Sequence, residues 1–213
     1  MSTGRPQLAL PILESLAEEA PEDIRYQRTL AQCCIVLGRV EQAETLLNSL
    51  IEGHEPHAWA YFLRGVIYSH RRQSALAQTD LEKAAELGED SPALHAFLGN
   101  VYLAKRLPAQ AETAYSTALR LDPASPDALA GLASLHNLRR NPESAADLAL
   151  QAIALRYETP AAHLQLGIAL ARLQQWARAA IAFRATLTLA PGVKSAARYL
   201  DVVNARLLPH ERQ

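Results

Sequence analysis

Long apolar runs are missing from this chain. Polar or charged residues interrupt every stretch well short of the roughly 20 apolar residues a bilayer-crossing helix needs, so no membrane partner is expected. An excess of one charge is missing too. Lys and Arg number 21 against 22 Asp and Glu, which argues against a nucleic-acid partner held by bulk electrostatics. Glycine is scarce, at 9 residues, and none of it forms a phosphate-cradling loop. Cysteine is limited to Cys33 and Cys34. Neighbours on a helix point in different directions, so a bridge between them is not expected, and reduced thiols suit a cytoplasmic setting. The first residues lack the charged-then-apolar layout of a signal peptide. The expected location is therefore cytoplasmic, provided the N-terminus is the native one.

What is present is helix-forming. Hydrophobic residues make up 49% of the 213, with Ala and Leu prominent, which favours an all-α chain with a continuous core. The informative stretch is Pro92 to Pro123, PALHAFLGNVYLAKRLPAQAETAYSTALRLDP. It reads as two short amphipathic helices joined by a tight turn. Counting from Pro92, Leu98 and Gly99 fall at positions 7 and 8, Tyr102 at 11, Ala111 at 20, Tyr115 at 24, Ala118 at 27 and Pro123 at 32. Shifting the window by 34 residues in either direction recovers the pattern. Ser91-Pro92, Ser125-Pro126 and Thr159-Pro160 recur at that same spacing. A hydroxyl at the N-cap followed by Pro at the first helical position is a helix start. Pro108 and Pro142 open second helices in the same way.

This small/large pattern resembles the tetratricopeptide repeat (TPR), a helix–turn–helix unit of about 34 residues. The resemblance covers nearly the whole chain and implies a right-handed superhelical α-solenoid. Five full units are expected, at residues 24–57, 58–91, 92–125, 126–159 and 160–193. Ahead of them, residues 1–5 read as a disordered or turn start and 6–23 as an orphan second helix, bent or delayed by Pro11. After them come a capping helix at 194–208 and a polar tail at 209–213. The missing first helix suggests a fragment of a larger array. Positions 8, 20 and 27 are expected where helices approach most closely, so Gly99, Ala111 and Ala118 build scaffold rather than a site.

The family resemblance implies a non-catalytic scaffold that binds a peptide or partner protein in a concave groove lined by first helices, at positions 2, 5, 9, 12 and 13. Arg25, Arg28, Gln32, Ile35 and Val36 fall there, as do Trp59, Phe62, Val66, Ser69 and His70. Later units add Asn100, Asn137 and Arg172, with small residues at Ala93, Ala96, Ala130 and Ala161 and further arginines at Arg198 and Arg206. One reading makes Trp59, Phe62 and Val66 an apolar anchor site flanked by Arg25 and Arg28, receiving a ligand with an acidic group. The other packs Trp59 and Phe62 against the preceding repeat. The two-carboxylate clamp of some family members does not transfer, because its slots hold Arg28, Gln32, Leu63, Ala93 and Phe97. A basic ridge is the second feature: Arg71-Arg72, Lys105-Arg106 and Arg139-Arg140, spaced by 34 residues in the turns. It offers an acidic partner a landing edge, or simply places favourable charge at helix C-termini.

Other chemistry is thin. His54, Glu55 and His57 lie together, but no third ligand follows at a suitable spacing, so no metal and no cofactor are expected. His95, His136 and His163 occupy positions where an aromatic residue packs. No nucleophile–base arrangement assembles, so enzymatic activity is not expected. Two alternatives stay open. The stretch LRYETPAAHLQLGIALARL, Leu155 to Leu173, is similar to TPR regions that follow phosphodiesterase-like domains in bacterial proteins, which implies an accessory region of an enzyme. Self-association through terminal helices, giving a homo-oligomer, is the other.

Overall fold

The computed structural model describes residues 6–53 and 57–207. The expected start at Met1–Arg5, the residues His54 and Glu55, and the tail from Leu208 onward lie outside them. Among the described residues there are twelve α-helices and no strand. The helix α1 (Pro6–Glu19) comes first. Five pairs follow: α2 (Ile24–Val36) with α3 (Val40–Glu52), α4 (Ala58–His70) with α5 (Ser74–Glu86), α6 (Pro92–Ala104) with α7 (Pro108–Leu121), α8 (Pro126–Leu138) with α9 (Pro142–Leu155), and α10 (Pro160–Arg172) with α11 (Trp176–Leu189). The last helix, α12 (Lys194–Arg206), stands alone. Consecutive helices pack in pairs as an all-α solenoid. Two compact units divide between Asp90 and Ser91, one holding α1–α5 and the other α6–α12.

The first helix of each of the five pairs ends in the same way. The Arg39 N–H donates to Cys34 O (2.8 Å) and the Gly38 N–H to Ile35 O (3.0 Å), a Schellman motif with Gly38 in the left-handed region at φ 72°. The same six-to-one bond recurs from Gln73 to Tyr68, Leu107 to Tyr102, Asn141 to His136 and Gln175 to Leu170, each at 2.9 Å. The left-handed residue in those turns is Arg72, Arg106, Arg140 or Gln174, at φ 59–61°.

The helix starts correct one expectation. Ser91 caps α6 through its hydroxyl, which accepts the Leu94 N–H at 3.3 Å. Ser125 makes no side-chain cap bond. Nor does Thr159, whose hydroxyl donates to Arg156 O (2.9 Å) and accepts from Arg156 Nε (3.1 Å). Pro at the first helical position suffices at these two starts. Caps from Asp23 and Asn141 serve α2 and α9 instead. Pro11 does not delay α1, which runs from Pro6 through it to Glu19.

The core follows the repeat. Ala43, Ala77, Ala111, Ala145 and Ala179 have no exposed surface, and large residues fill the space between the paired helices. The fully buried Tyr115 ring lies against two glycines: a Cβ on Gly99 would sit 2.4 Å from it, and one on Gly131 2.2 Å. Phe183 occupies Gly167 in the same manner. Where the pattern breaks, a polar device replaces it. Arg64, in a Leu slot, forms a two-pronged pair with the buried Asp80 (2.7 and 2.9 Å) and donates to Asn48 at 2.8 Å. Its guanidinium also lies 5.7 Å from the Tyr61 ring centre and 5.8 Å from that of Tyr68. Both cysteines are buried free thiols. The Cys33 thiol donates to Pro6 O at 3.3 Å, and burial pushes the Cys34 thiol up.

Candidate functional site

In the first unit the proposed groove residues sit on α2 and α4. Arg25 is engaged: its Nη2 lies 2.7 Å from Asp23 Oδ2 and its Nε 3.0 Å from Asp23 Oδ1. The same carboxylate accepts the Arg25 N–H at 3.0 Å, and this pairing holds Asp23 below its ordinary range. Arg25 therefore belongs to the start of α2. Arg28 is exposed, and its guanidinium rests 5.9 Å from the centre of the Trp59 ring. It makes no ion pair among the described residues. His57 stacks on Trp59 with ring centres 6.0 Å apart.

Trp59 keeps only 9% of its surface and Val66 8%; Trp59 belongs to the core with Leu30, Leu63 and Ile67. Phe62 is half-buried at the edge of that core. The surface that remains open carries Arg28, Gln32, Val36 and His70, with Val36 71% exposed. Trp59 thus supports Arg28 from beneath, and Phe62 is the partly open aromatic beside it in the repeat pattern.

In the second unit the polar candidates are tied into the scaffold. Asn100 Oδ1 accepts the Tyr115 hydroxyl at 2.7 Å, and burial pushes that phenol well above its ordinary range. Asn137 is 3% exposed and donates to Gln165 O (2.9 Å) and Gln165 Oε1 (3.1 Å). Its own Oδ1 is buried with no hydrogen-bond partner among the described residues. Arg172 donates to the Asn137 carbonyl. Ala96 and Ala130 are buried, so only Ala93 and Ala161 of the small residues remain on the surface. Arg198 is exposed, and Arg206 lies 5.7 Å over the Trp176 ring.

The ridge residues divide into two kinds. Arg71 binds Glu44 and reaches Glu41 (3.2 Å), fastening the end of α4 to α3. Arg139 binds Glu112 at 2.8 and 2.6 Å, fastening the end of α8 to α7 and holding the Glu112 carboxyl below its usual range. In each case the acid stands 27 residues earlier, a spacing visible in the sequence once position 14 is compared with the preceding second helix. Lys105 is the C-cap of α6. Arg72, Arg106 and Arg140 occupy the left-handed turn position with exposed side chains.

His163 is 5% exposed and is held by the Tyr157 carbonyl at 2.9 Å, with the Tyr157 ring edge-on at 4.9 Å. Among the described residues no cluster of three or more His, Cys, Asp or Glu is placed to hold a metal. No helix among them is long and apolar enough to cross a membrane.

Comparison with known proteins places this scaffold. Family models described as tetratricopeptide repeat match residues 1–63, and again 62–126, 98–156 and 139–194. Curated protein sequences return no match. Among solved structures, a chain of the APC/C hetero-tetramer Cut9-Hcn1 superimposes with a TM-score of 0.80 at 17% identity; 93% of this chain is covered, spanning 40% of that one. YrrB, described as a TPR protein with an unusual peptide-binding site, gives 0.58 at 18% identity, covering 87% of this chain and 96% of YrrB. TTC0263, a thermophilic TPR protein of Thermus thermophilus, gives 0.68 at 16% identity, covering 85% and 98%. By its repeats, its fold and these matches, the chain belongs to the tetratricopeptide-repeat family, whose fold serves as a protein–protein interaction scaffold.

Proposed function

We propose that the first unit binds a peptide segment of a partner protein on the face formed by α2 and α4, through an acidic group on the peptide and an aliphatic side chain beside it. The observation that carries this reading is Arg28, an exposed cation resting 5.9 Å over Trp59 without an ion pair among the described residues. A guanidinium stacked on a ring is already restrained, so less side-chain freedom is lost when it takes up a carboxylate. Val36 and the half-buried Phe62 supply apolar surface for the aliphatic anchor, and the exposed Gln32, one turn from Arg28 on α2, a hydrogen-bonding group. YrrB, similar in fold, is described as having a peptide-binding site. The reading is one of binding, with no catalytic step.

A display selection of random peptides on the full chain tests it, with Arg28→Glu/Phe62→Ala run in parallel. Enrichment of an acidic-plus-aliphatic motif by the parent alone, with both proteins equally helical by circular dichroism, is the expected outcome. Equal enrichment by both would remove the α2/α4 face from consideration.

A further inference from the structure

Two turns inside the second unit carry arginines that the repeat does not require. Arg106, between α6 and α7, and Arg140, between α8 and α9, hold the left-handed turn position. Gly38 and Gln174 hold the same position in other turns, which close with the same hydrogen bonds. The turn itself therefore demands no cation. Both arginine side chains are exposed, and neither forms an ion pair among the described residues. Arg139 gives the contrast. It is bound by both oxygens of Glu112, and it already places a positive charge at the end of α8. Arg140 adds a second cation there and leaves it open to solvent.

Apolar surface accompanies the two cations. Leu107, next to Arg106, is 37% exposed, and Leu138, two residues before Arg140, is 63% exposed. The helix α8 packs against both α6 and α7. The end of α6, the start of α7 and the end of α8 thus lie along one edge. Packed helices stand about 10 Å apart, which sets the distance between the two turns.

We propose that this edge docks an extended acidic segment of a partner protein, with one carboxylate on Arg106, another on Arg140, and aliphatic side chains between them against Leu107 and Leu138. The spacing sets the sequence of the ligand. About 10 Å is three residues of extended chain, so the acids stand at i and i+3 with two apolar residues between. A guanidinium takes a carboxylate through two parallel hydrogen bonds, as Arg139 does with Glu112 at 2.8 and 2.6 Å. These pairs are exposed, so the contact is weak, rapidly formed and sensitive to salt.

A nucleic-acid strand fits less well. Its phosphates recur about every 3.4 Å and draw on many cations at once, whereas this edge leaves two open and carries the exposed Glu143 three residues after Arg140. The edge belongs to the second unit, shares no residue with the α2/α4 face and does not depend on it.

The test uses two fluorescein-labelled peptides of one composition, GSELLEGS and GSLEELGS, in anisotropy titrations at about 50 mM salt. They are run on the full chain and on Arg28→Glu/Phe62→Ala, which sets binding at the α2/α4 face apart. GSELLEGS is expected to bind both proteins, to bind more tightly than GSLEELGS, and to be released at about 500 mM salt. Adding Arg106→Gln/Arg140→Gln should weaken it about fivefold or more, the scale of two exposed ion pairs. Gln174 shows that glutamine is accommodated at this turn position, and circular dichroism should show unchanged helicity. Arg106→Lys/Arg140→Lys should retain most of the affinity. Absence of binding, equal binding by the glutamine variant, or no preference between the two peptides would each overturn the proposal. So would tighter binding of a labelled ten-residue oligothymidylate that the glutamine variant loses, since the occupant would then be a phosphate backbone.

Discussion

A methyl group on Gly99 would lie 2.4 Å from the Tyr115 ring, a contact that real Cβ atoms do not make. The ring is closely held, because Gly131 meets the same ring edge just as closely and Asn100 accepts its hydroxyl at 2.7 Å. Gly99→Ala should therefore cost about 1–3 kcal/mol as overpacking, read from denaturant unfolding. Gly192→Ala is the control, since nothing lies within 4 Å of the added Cβ, and should leave the midpoint in place. A second residue-scale effect runs the other way. Arg106 and Arg140 hold φ of 61° and 59° at the turn position where Gly38 sits in the first full repeat. A left-handed backbone is costly for any residue with a Cβ. Arg106→Gly and Arg140→Gly should each stabilise the chain by about 0.5–1 kcal/mol, after allowing for the freer unfolded glycine. Unchanged or lowered midpoints would mean that these arginines make contacts that outweigh the backbone cost.

Between elements, the Arg64–Asp80 pair couples α4 to α5 where the sequence departs from its own apolar pattern. Asp80 retains 5% of its side-chain exposure and Arg64 17%, so removing one partner strands a buried charge. Arg64→Leu alone is expected to cost about 3–5 kcal/mol, while Arg64→Leu/Asp80→Leu should recover most of that loss. Additive losses in this double-mutant cycle would contradict the pairing. The same pair shows what was legible. Helix starts at Pro92, Pro108, Pro126, Pro142 and Pro160 could be read directly, because proline at the first helical position repeats with the period of the fold. Arg64 in an apolar slot reads as a blemish until Asp80, 16 residues on, is seen to depart from the pattern as well. Which hydroxyls cap was not legible: Ser91 does, whereas the Thr159 hydroxyl turns to Arg156, a choice set by a side chain outside the helix. The burial of Trp59 was half legible, as one of two readings that the sequence left open. Its cover comes from His57 and from Arg28 on the neighbouring helix α2, and a single repeat pattern records nothing of what the adjacent repeat lays across it.

At the scale of the molecule, the chain is near-neutral and built from stacked helix pairs. Several polar groups on the first-helix faces are already engaged: Arg25 with Asp23 at the start of α2, Asn100 with Tyr115, Asn137 with Gln165, and Arg172 with the Asn137 carbonyl. Arg28 in the first unit makes no ion pair among the described residues and lies exposed over a buried ring. The proposed ligand capture therefore rests on that cation and the apolar surface around it. The most direct test is a charge swap by titration calorimetry, using a peptide selected on the parent chain. Arg28→Glu is expected to weaken that peptide by roughly tenfold or more, the scale of one charge-assisted contact. Exchanging the peptide's acidic residue for lysine should then restore binding to the variant but not to the parent. Equal affinity of parent and variant for the selected peptide would contradict the assignment.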